Sequence, residues 1–288
     1  MISIFQAVIL GLLQGFSELF PISSLGHSVI LPKLLGWNIH QNDSFFLTFL
    51  VATHLATAIV LFIFFWAEWM QILRGLGRSF TQRQIKESDT YAKLGWLLVV
   101  GTIPAGIIGL LFQDSLRKLF NSAETAAAFL ILNGFILLVA ERLRRNRLSA
   151  ANQTSARSDQ HIAKLKWRQA IGIGTVQAAA LFPGISRSGS SMAGSLLAGL
   201  DNEAAARFSF MLATPIIGAA AILKLPELFS SSAASLRVPA LVGALCSALA
   251  AYISVRFLTK YFRTNTLTPF GLYCLAAGVL AFTYLYLK

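Results

Sequence analysis

Glu18 and Arg187 are an acid and a guanidinium set in apolar sequence, and each lies beside a Pro- and Ser-bearing interruption of a hydrophobic run. A charge at the bilayer centre costs at least ~2.5–3.5 kcal/mol on insertion scales, so such residues mark function. Gln14 precedes Glu18 by one helical turn and shares its face. Ser23 and Ser24 follow Pro21, while Ser186 and Ser188 flank Arg187 in Pro183-Gly184-Ile185-Ser186-Arg187-Ser188. Each break is followed by a short apolar stretch that reads as a half-helix, whose free N–H groups and positive dipole end point back at the break. Helix N-termini, hydroxyls and an arginine make an anion site suited to phosphate, and the guanidinium fork matches phosphate oxygens. His27 lies three residues after Ser24, so a hydroxyl and an imidazole can face one side, as nucleophilic attack requires.

Plainer readings stand beside these. Ser23 and Ser186 are also ordinary N-caps, Pro21 and Pro183 simple helix breakers, and Glu18–Arg187 a structural ion pair. His54, within a continuous apolar stretch, fits a packing residue or a cavity liner equally well.

The elements that must position these groups are helices in a membrane. Of the 288 residues 56% are hydrophobic and 12% charged, whereas soluble domains average about a quarter charged. Six segments are long enough to span, about 45–66, 94–112, 125–141, 205–223, 238–257 and 268–286. Residues 3–36 and 170–200 are different. Each is broken in the middle, leaving halves of roughly 12–14 residues, too short to cross a ~30 Å core at 1.5 Å per residue. Half-helix, break and half-helix together predict a re-entrant hairpin whose exposed backbone faces protein or a water-filled cavity.

The two broken runs resemble each other. Gln14, Leu19-Phe20-Pro21, Ile22-Ser23 and Gly26 are echoed by Gln177, Leu181-Phe182-Pro183, Ile185-Ser186 and Gly189. Repeat one covers 1–142, a basic cytoplasmic linker 143–168, and repeat two 169–288. Each repeat holds one hairpin and three spans, an odd number, so the second copy enters the membrane inverted. The fold class is therefore an all-α polytopic membrane protein of two inverted repeats.

The formal net charge of +12 invites a nucleic-acid reading, but the basic residues fall in loops between spans, as orientation signals do. Arg74, Arg78, Arg83, Lys86, Lys93, the 142–168 basic stretch, Lys260 and Arg263 gather on one side, with Trp66, Trp69, Trp96 and Trp167 at the span ends beside them. This asymmetry places both termini outside the cytoplasm. Cys246 and Cys274 lie in apolar spans and read as packing residues.

Gln14-Gly15-Phe16-Ser17-Glu18 matches an (E/Q)xxxE motif, Pro21-Ile22-Ser23-Ser24-Leu25-Gly26-His27 continues it, and residues 183–188 match PGxSRS. Together they resemble the undecaprenyl-diphosphate phosphatase family of bacitracin-resistance membrane proteins, over essentially the whole chain. The resemblance implies loss of the terminal phosphate from undecaprenyl diphosphate, which returns the lipid carrier to peptidoglycan synthesis. It implies a periplasm-facing site and a supporting divalent cation, Mg2+ or Ca2+, near Glu18 and Gln14. It also implies that Glu18, Ser24, His27 and Arg187 are catalytic, with Gln14, Ser23, Gly184, Ser186, Ser188 and Ser191 around the diphosphate. Ser191 stands where the family motif usually has threonine, and Gln14 is that motif's neutral option. Attack on phosphorus by Ser24 after proton removal by His27, by His27 itself, or by water all remain open. Inverted repeats with broken helices are equally a transporter signature, so a carrier or flippase of the polyprenyl phosphate is the alternative. An oligomer is compatible with either.

Overall fold

An apolar stretch in lipid must satisfy its backbone internally, and coiling into a helix is how a single segment does so. The computed structural model describes residues 2–39, 44–119, 122–148 and 158–287, and the chain is all-helical there. The first broken run forms α1 (Ile4–Ser17) and α2 (Ser24–Leu34). Then come α3 (Ser44–Phe64), α4 (Trp66–Gln82), α5 (Thr90–Leu119), α6 (Ala123–Leu148) and the short α7 (Ser158–Ala163). The second broken run forms α8 (Trp167–Gln177) and α9 (Arg187–Leu197), and α10 (Asn202–Lys224), α11 (Arg237–Tyr261) and α12 (Thr268–Leu287) complete the chain. Among the described residues, six helices are long and apolar enough to cross a membrane: α3, α5, α6, α10, α11 and α12. They fall on the six expected segments, with ends that shift by a few residues.

Two regions differ from expectation. Residues 66–82, read as part of a basic inward loop, form α4. Its Trp69, Ile72 and Gly75 are buried while Arg74, Arg78 and Phe80 are exposed, the two-faced character of a helix lying along an interface. The basic linker 143–168 also holds helix at both of its ends. α6 runs on through Leu148, residues 149–157 lie outside the described residues, and α7 then packs Ile162 fully inside. Asp159 of α7 accepts from Arg207 of α10 at 2.6 Å, and Arg207 also reaches Glu68 of α4 at 2.7 Å. One guanidinium thereby ties the linker to two other helices.

Outward faces are apolar. Leu241, Leu245 and Leu249, one turn apart on α11, are 62, 63 and 61% exposed, a continuous stripe that suits lipid contact. With lipid as apolar as the interior, helices associate through close packing of small residues. A Cβ on Gly15 of α1 would lie 2.2 Å from the Ser247 carbonyl oxygen of α11, and one on Gly174 of α8 would lie 2.1 Å from the Gly101 carbonyl oxygen of α5. The first half-helix of each broken run is thus pressed onto a spanning helix of the other half of the chain.

The remaining contacts follow the same logic. α11 also packs on α3, α5 on α10, α3 on α10, and α6 on α12. Exchanging α1, α3, α5 and α6 for α8, α10, α11 and α12 maps these pairings onto one another. The two breaks consequently meet near the middle of the bundle.

Gly174→Ala should force α8 from α5 and cost about 1–3 kcal/mol, as overpacking does. Thermal unfolding in detergent would show a lower Tm. Gly172→Ala, where nothing lies within 4 Å of the added methyl group, should leave the Tm close to that of the parent.

Candidate active site

Both breaks are built by backbone that few residues accept. Ser23 caps α2 at φ 72°, and its hydroxyl accepts from the Gly26 N–H at 3.1 Å and donates to the Ile185 carbonyl at 3.3 Å. A non-glycine residue there carries strain that persists only when its surroundings enforce it. Gly184 sits at φ 110°, and a Cβ on it would meet the Ala126 carbonyl oxygen at 2.2 Å. Ser186 caps α9 by accepting from the Gly189 N–H at 3.0 Å. A Cβ on Gly26 would lie 2.8 Å from the Gly184 Cα, so the tips touch backbone to backbone.

Asn133 of α6 clamps the two tips together. Its amide Nδ2 donates to the Pro21 carbonyl at 3.1 Å, and its Oδ1 accepts from the Ser186 N–H at 3.0 Å. It is fully buried. Every backbone group that a helix break frees needs a partner, and here one side chain serves both breaks.

Glu18, immediately beyond α1, is the centre of the site. Its Oε1 accepts from Arg187 Nε at 2.9 Å. Its Oε2 accepts from the Ser24 hydroxyl at 2.6 Å and from Gln14 Nε2 at 3.1 Å, and lies 3.2 Å from His54 Nε2. The carboxylate is 4% exposed, so these donors replace the water it has lost. Ser188 donates to the Glu18 carbonyl at 2.9 Å, fixing the second break to the backbone of the first. Ser191 bonds Ser209 at 2.6 Å and its own helix carbonyls, which places it behind Arg187. Arg187 Nη1 donates to the Ser209 carbonyl at 3.2 Å, while Nη2 is buried with no partner among the described residues.

The two histidines exchange expectations. His27 was paired with Ser24 on spacing, but its ring turns elsewhere. Nδ1 donates to the Ser23 carbonyl at 2.7 Å, Nε2 accepts from the Tyr273 hydroxyl at 2.8 Å, and the rings stack at 5.8 Å. A carbonyl can only accept, so Nδ1 carries the proton and both nitrogens are engaged. The Ser24 hydroxyl points at Glu18 instead. His54, left open in the sequence, reaches the carboxylate. Its Nδ1 donates to the Leu50 carbonyl at 2.7 Å, which aims Nε2 at Glu18.

A cavity of about 380 Å³ opens over this cluster. Glu18, Ser23, Ser24, His54, Gln177, Ser186, Arg187 and Lys224 form its polar part, and Leu47, Leu50, Val51, Leu181, Ile216 and Ile217 are among its apolar walls. A short anionic headgroup on a long apolar tail fits that division. For a divalent cation, Glu18 is the one carboxylate that lines the cavity among the described residues, and no group of three or more His, Cys, Asp or Glu side chains gathers there. Gln14 Oε1, behind Glu18, is buried without a partner among the described residues. Glu18 and Gln14 are the side chains that would hold such an ion, a sparse set of protein ligands.

Asn133 and Ser209 are site-building residues to which the motifs gave no role, and His54 is one that the sequence left between packing and cavity lining. Asn133 carried a signal, as a carboxamide inside an apolar span. His54 acquires its role only once α3 is packed against α1.

The sequence resembles known proteins over nearly its whole length. Residues 7–280 match the family described as bacitracin resistance protein BacA. The chain is 43% identical to the undecaprenyl-diphosphatase of Mycolicibacterium paratuberculosis over 303 aligned positions, covering 100% of this chain and 99% of the relative. It is 44% identical to the protein of the same name from Acidiphilium cryptum, with 96% and 95% covered. It is also 41% identical to undecaprenyl-diphosphatase 2 of Frankia alni, with 96% of each covered.

Asn133→Ala should leave the Pro21 carbonyl and the Ser186 N–H unpaired and cost about 2–4 kcal/mol. The Tm in detergent should fall accordingly. Asn133→Asp, which can accept from Ser186 but cannot donate to Pro21, should lose more than half of that stability.

Proposed function

Because the chain belongs to the bacitracin resistance protein BacA family, we propose that it hydrolyses undecaprenyl diphosphate to undecaprenyl phosphate and inorganic phosphate. The product is the carrier form that peptidoglycan synthesis reuses, and restoring it is what resistance to bacitracin requires. The observation that carries the reading is the Ser24–Glu18–Arg187 cluster on the polar side of an otherwise apolar cavity. The relatives are named as diphosphatases, and none of those names supports the carrier or flippase alternative.

In the mechanism, Arg187 Nη2, unpaired among the described residues, donates to oxygens of the terminal phosphate. The N–H groups that open α2 and α9 add fixed positive ends to the same region. Ser24 Oγ attacks the terminal phosphorus as its proton passes to Glu18 Oε2, 2.6 Å away. The bond from phosphorus to the bridging oxygen breaks, and polyprenyl monophosphate leaves. Water then attacks the phosphoserine and the Ser24 Oγ–phosphorus bond breaks as Glu18 returns its proton to Ser24 Oγ, so the water's oxygen and protons leave with inorganic phosphate and both the Ser24 hydroxyl and the Glu18 carboxylate are restored. Glu18 takes the base role that spacing had suggested for His27, because the Ser24 proton already points at it. His27 instead holds the strained Ser23 in place. A magnesium or calcium ion held by Glu18 and Gln14 would neutralise charge on the diphosphate. The prenyl chain lies along the apolar cavity wall.

The membrane arrangement belongs to the same proposal. α1 spans about 21 Å at 1.5 Å per residue, short of a ~30 Å core, so α1–α2 and α8–α9 are re-entrant hairpins. They enter from opposite faces as parts of inverted repeats. The support is the set of helix pairings that survives exchange of the two halves, together with three spans in each half. The basic residues of α4, of the 142–168 stretch and of the α11–α12 turn mark the cytoplasmic side. Both termini and the site then face outward.

Purified protein in detergent should release phosphate from farnesyl or C55 prenyl diphosphate. Arg187→Ala and Glu18→Ala should each reduce release by about 10²-fold or more, Ser24→Ala by a similar or larger factor, and chelation of divalent cations should suppress it. Rapid quenching should trap phosphate on Ser24; phosphate found on no residue would favour direct attack by water. Absence of release from folded parent protein with added magnesium or calcium would overturn the enzyme reading.

Orientation has its own test. In intact cells a membrane-impermeant thiol reagent should label Lys33→Cys and leave Arg78→Cys unlabelled until the membrane is opened. The reverse pattern would invert the topology.

A further inference from the structure

Gln177 ends α8 and lines the cavity that holds Glu18 and Arg187. It is 1% exposed, yet neither its amide Nε2 nor its Oε1 has a partner among the described residues. A buried amide left unpaired at both ends is costly and rare. The first broken run shows what is missing. There Gln14 Nε2 donates to Glu18, one turn further on, at 3.1 Å. One turn beyond Gln177 stands Leu181, and residues 178–182 are all apolar. The chain has kept the amide in the second run without giving it a carboxylate.

Packing alone does not account for it. A leucine or methionine would fill the same space without burying two unsatisfied polar atoms. The amide makes sense when a ligand completes it.

We infer that Gln177 is a contact of the phosphate-bearing headgroup, its Nε2–H donating to a phosphoryl oxygen within the cavity. Its Oε1 accepts from water or from a protonated phosphate oxygen at the same place. The amide adds a donor without adding charge, beside the Arg187 guanidinium, whose Nη2 has no partner among the described residues. It therefore orients the diphosphate, while Arg187 supplies the attraction. This deepens the phosphatase reading and rests on it for the identity of the ligand.

The test compares Gln177→Leu and Gln177→Met with the parent, all full-length in detergent. Phosphate release from farnesyl diphosphate gives KM and kcat. Thermal stabilisation by a methylene-bridged, non-hydrolysable farnesyl diphosphonate reports binding without turnover. Both variants should show a KM raised about tenfold or more, a smaller change in kcat, and a reduced thermal shift with the analogue. Their ligand-free Tm should equal or exceed that of the parent, since an unpaired amide has been removed. Gln177→Glu, which places an anion against the phosphate, should bind the analogue more weakly still. A KM and thermal shift within twofold of the parent in both apolar variants would overturn the inference, whatever their Tm. If the parent is stabilised by the analogue and the variants are not, while none releases phosphate, the contact stands and hydrolysis falls. A parent neither active nor stabilised overturns both.

Discussion

A carboxylate buried in the middle of a membrane protein is the constraint from which the rest of this structure follows. Glu18 is almost wholly withdrawn from solvent, and no single helix could make that tolerable. Its partners come from four places: Gln14 on α1, Ser24 on α2, His54 on α3 and Arg187 at the start of α9. Each contact is possible only if the helices approach closely, and the close approach of α1 to α11 and of α8 to α5 depends on side chains no larger than hydrogen. Small residues in the scaffold and charge at its centre are thus one design. Removing either Glu18 or Arg187 would strand the other charge, a penalty of several kcal/mol for a buried pair.

The breaks solve a second problem with the same atoms. A site for phosphate inside the bilayer needs donors, and an intact helix has none to spare because its N–H groups are spent on its own carbonyls. Breaking two helices frees those groups, and the cost is met by Asn133, Ser23, Ser186 and Ser188, which pair what the breaks expose. The hydroxyls that read as caps and those that read as ligands are therefore not rival readings. Ser186 is a cap that turns the start of α9 toward the cavity, and Ser24, one residue past a strained cap, is left with its hydroxyl free to meet Glu18.

How far all this was legible in the sequence depends on the distance over which each feature is decided. The six spans were plain, because hydropathy over some twenty residues settles them locally. Glu18 and Arg187 stood out because ionisable groups in apolar runs are conspicuous, and their meeting could be anticipated from the repeat. The orientation of a ring is another matter. His27 and Ser24 share a helix side at three-residue spacing, yet Tyr273 from α12 and the Ser23 carbonyl hold the imidazole away. His54 joins the site through the packing of α3 on its neighbours, which no local pattern announces. α4 was passed over because its basic residues fitted a loop equally well, although its buried Trp69, Ile72 and Gly75 sit at helical spacing.

The two halves share a scaffold and divide the chemistry. Each supplies a broken helix, a capping serine and a glutamine before the break, but only the first carries the acid and only the second the arginine. Two identical halves would set like charges against each other at the contact of the tips. An acid in one and a base in the other converts that repulsion into the ion pair that holds the tips together, and makes the site asymmetric. Asymmetry is what a hydrolytic site requires, because a nucleophile must approach phosphorus from one side while the leaving group departs on the other. The serine bound to the carboxylate stands in the first half and the open face of the guanidinium belongs to the second. In the proposed mechanism the direction of attack therefore follows from this difference between the two halves, rather than from the helix pairings they share.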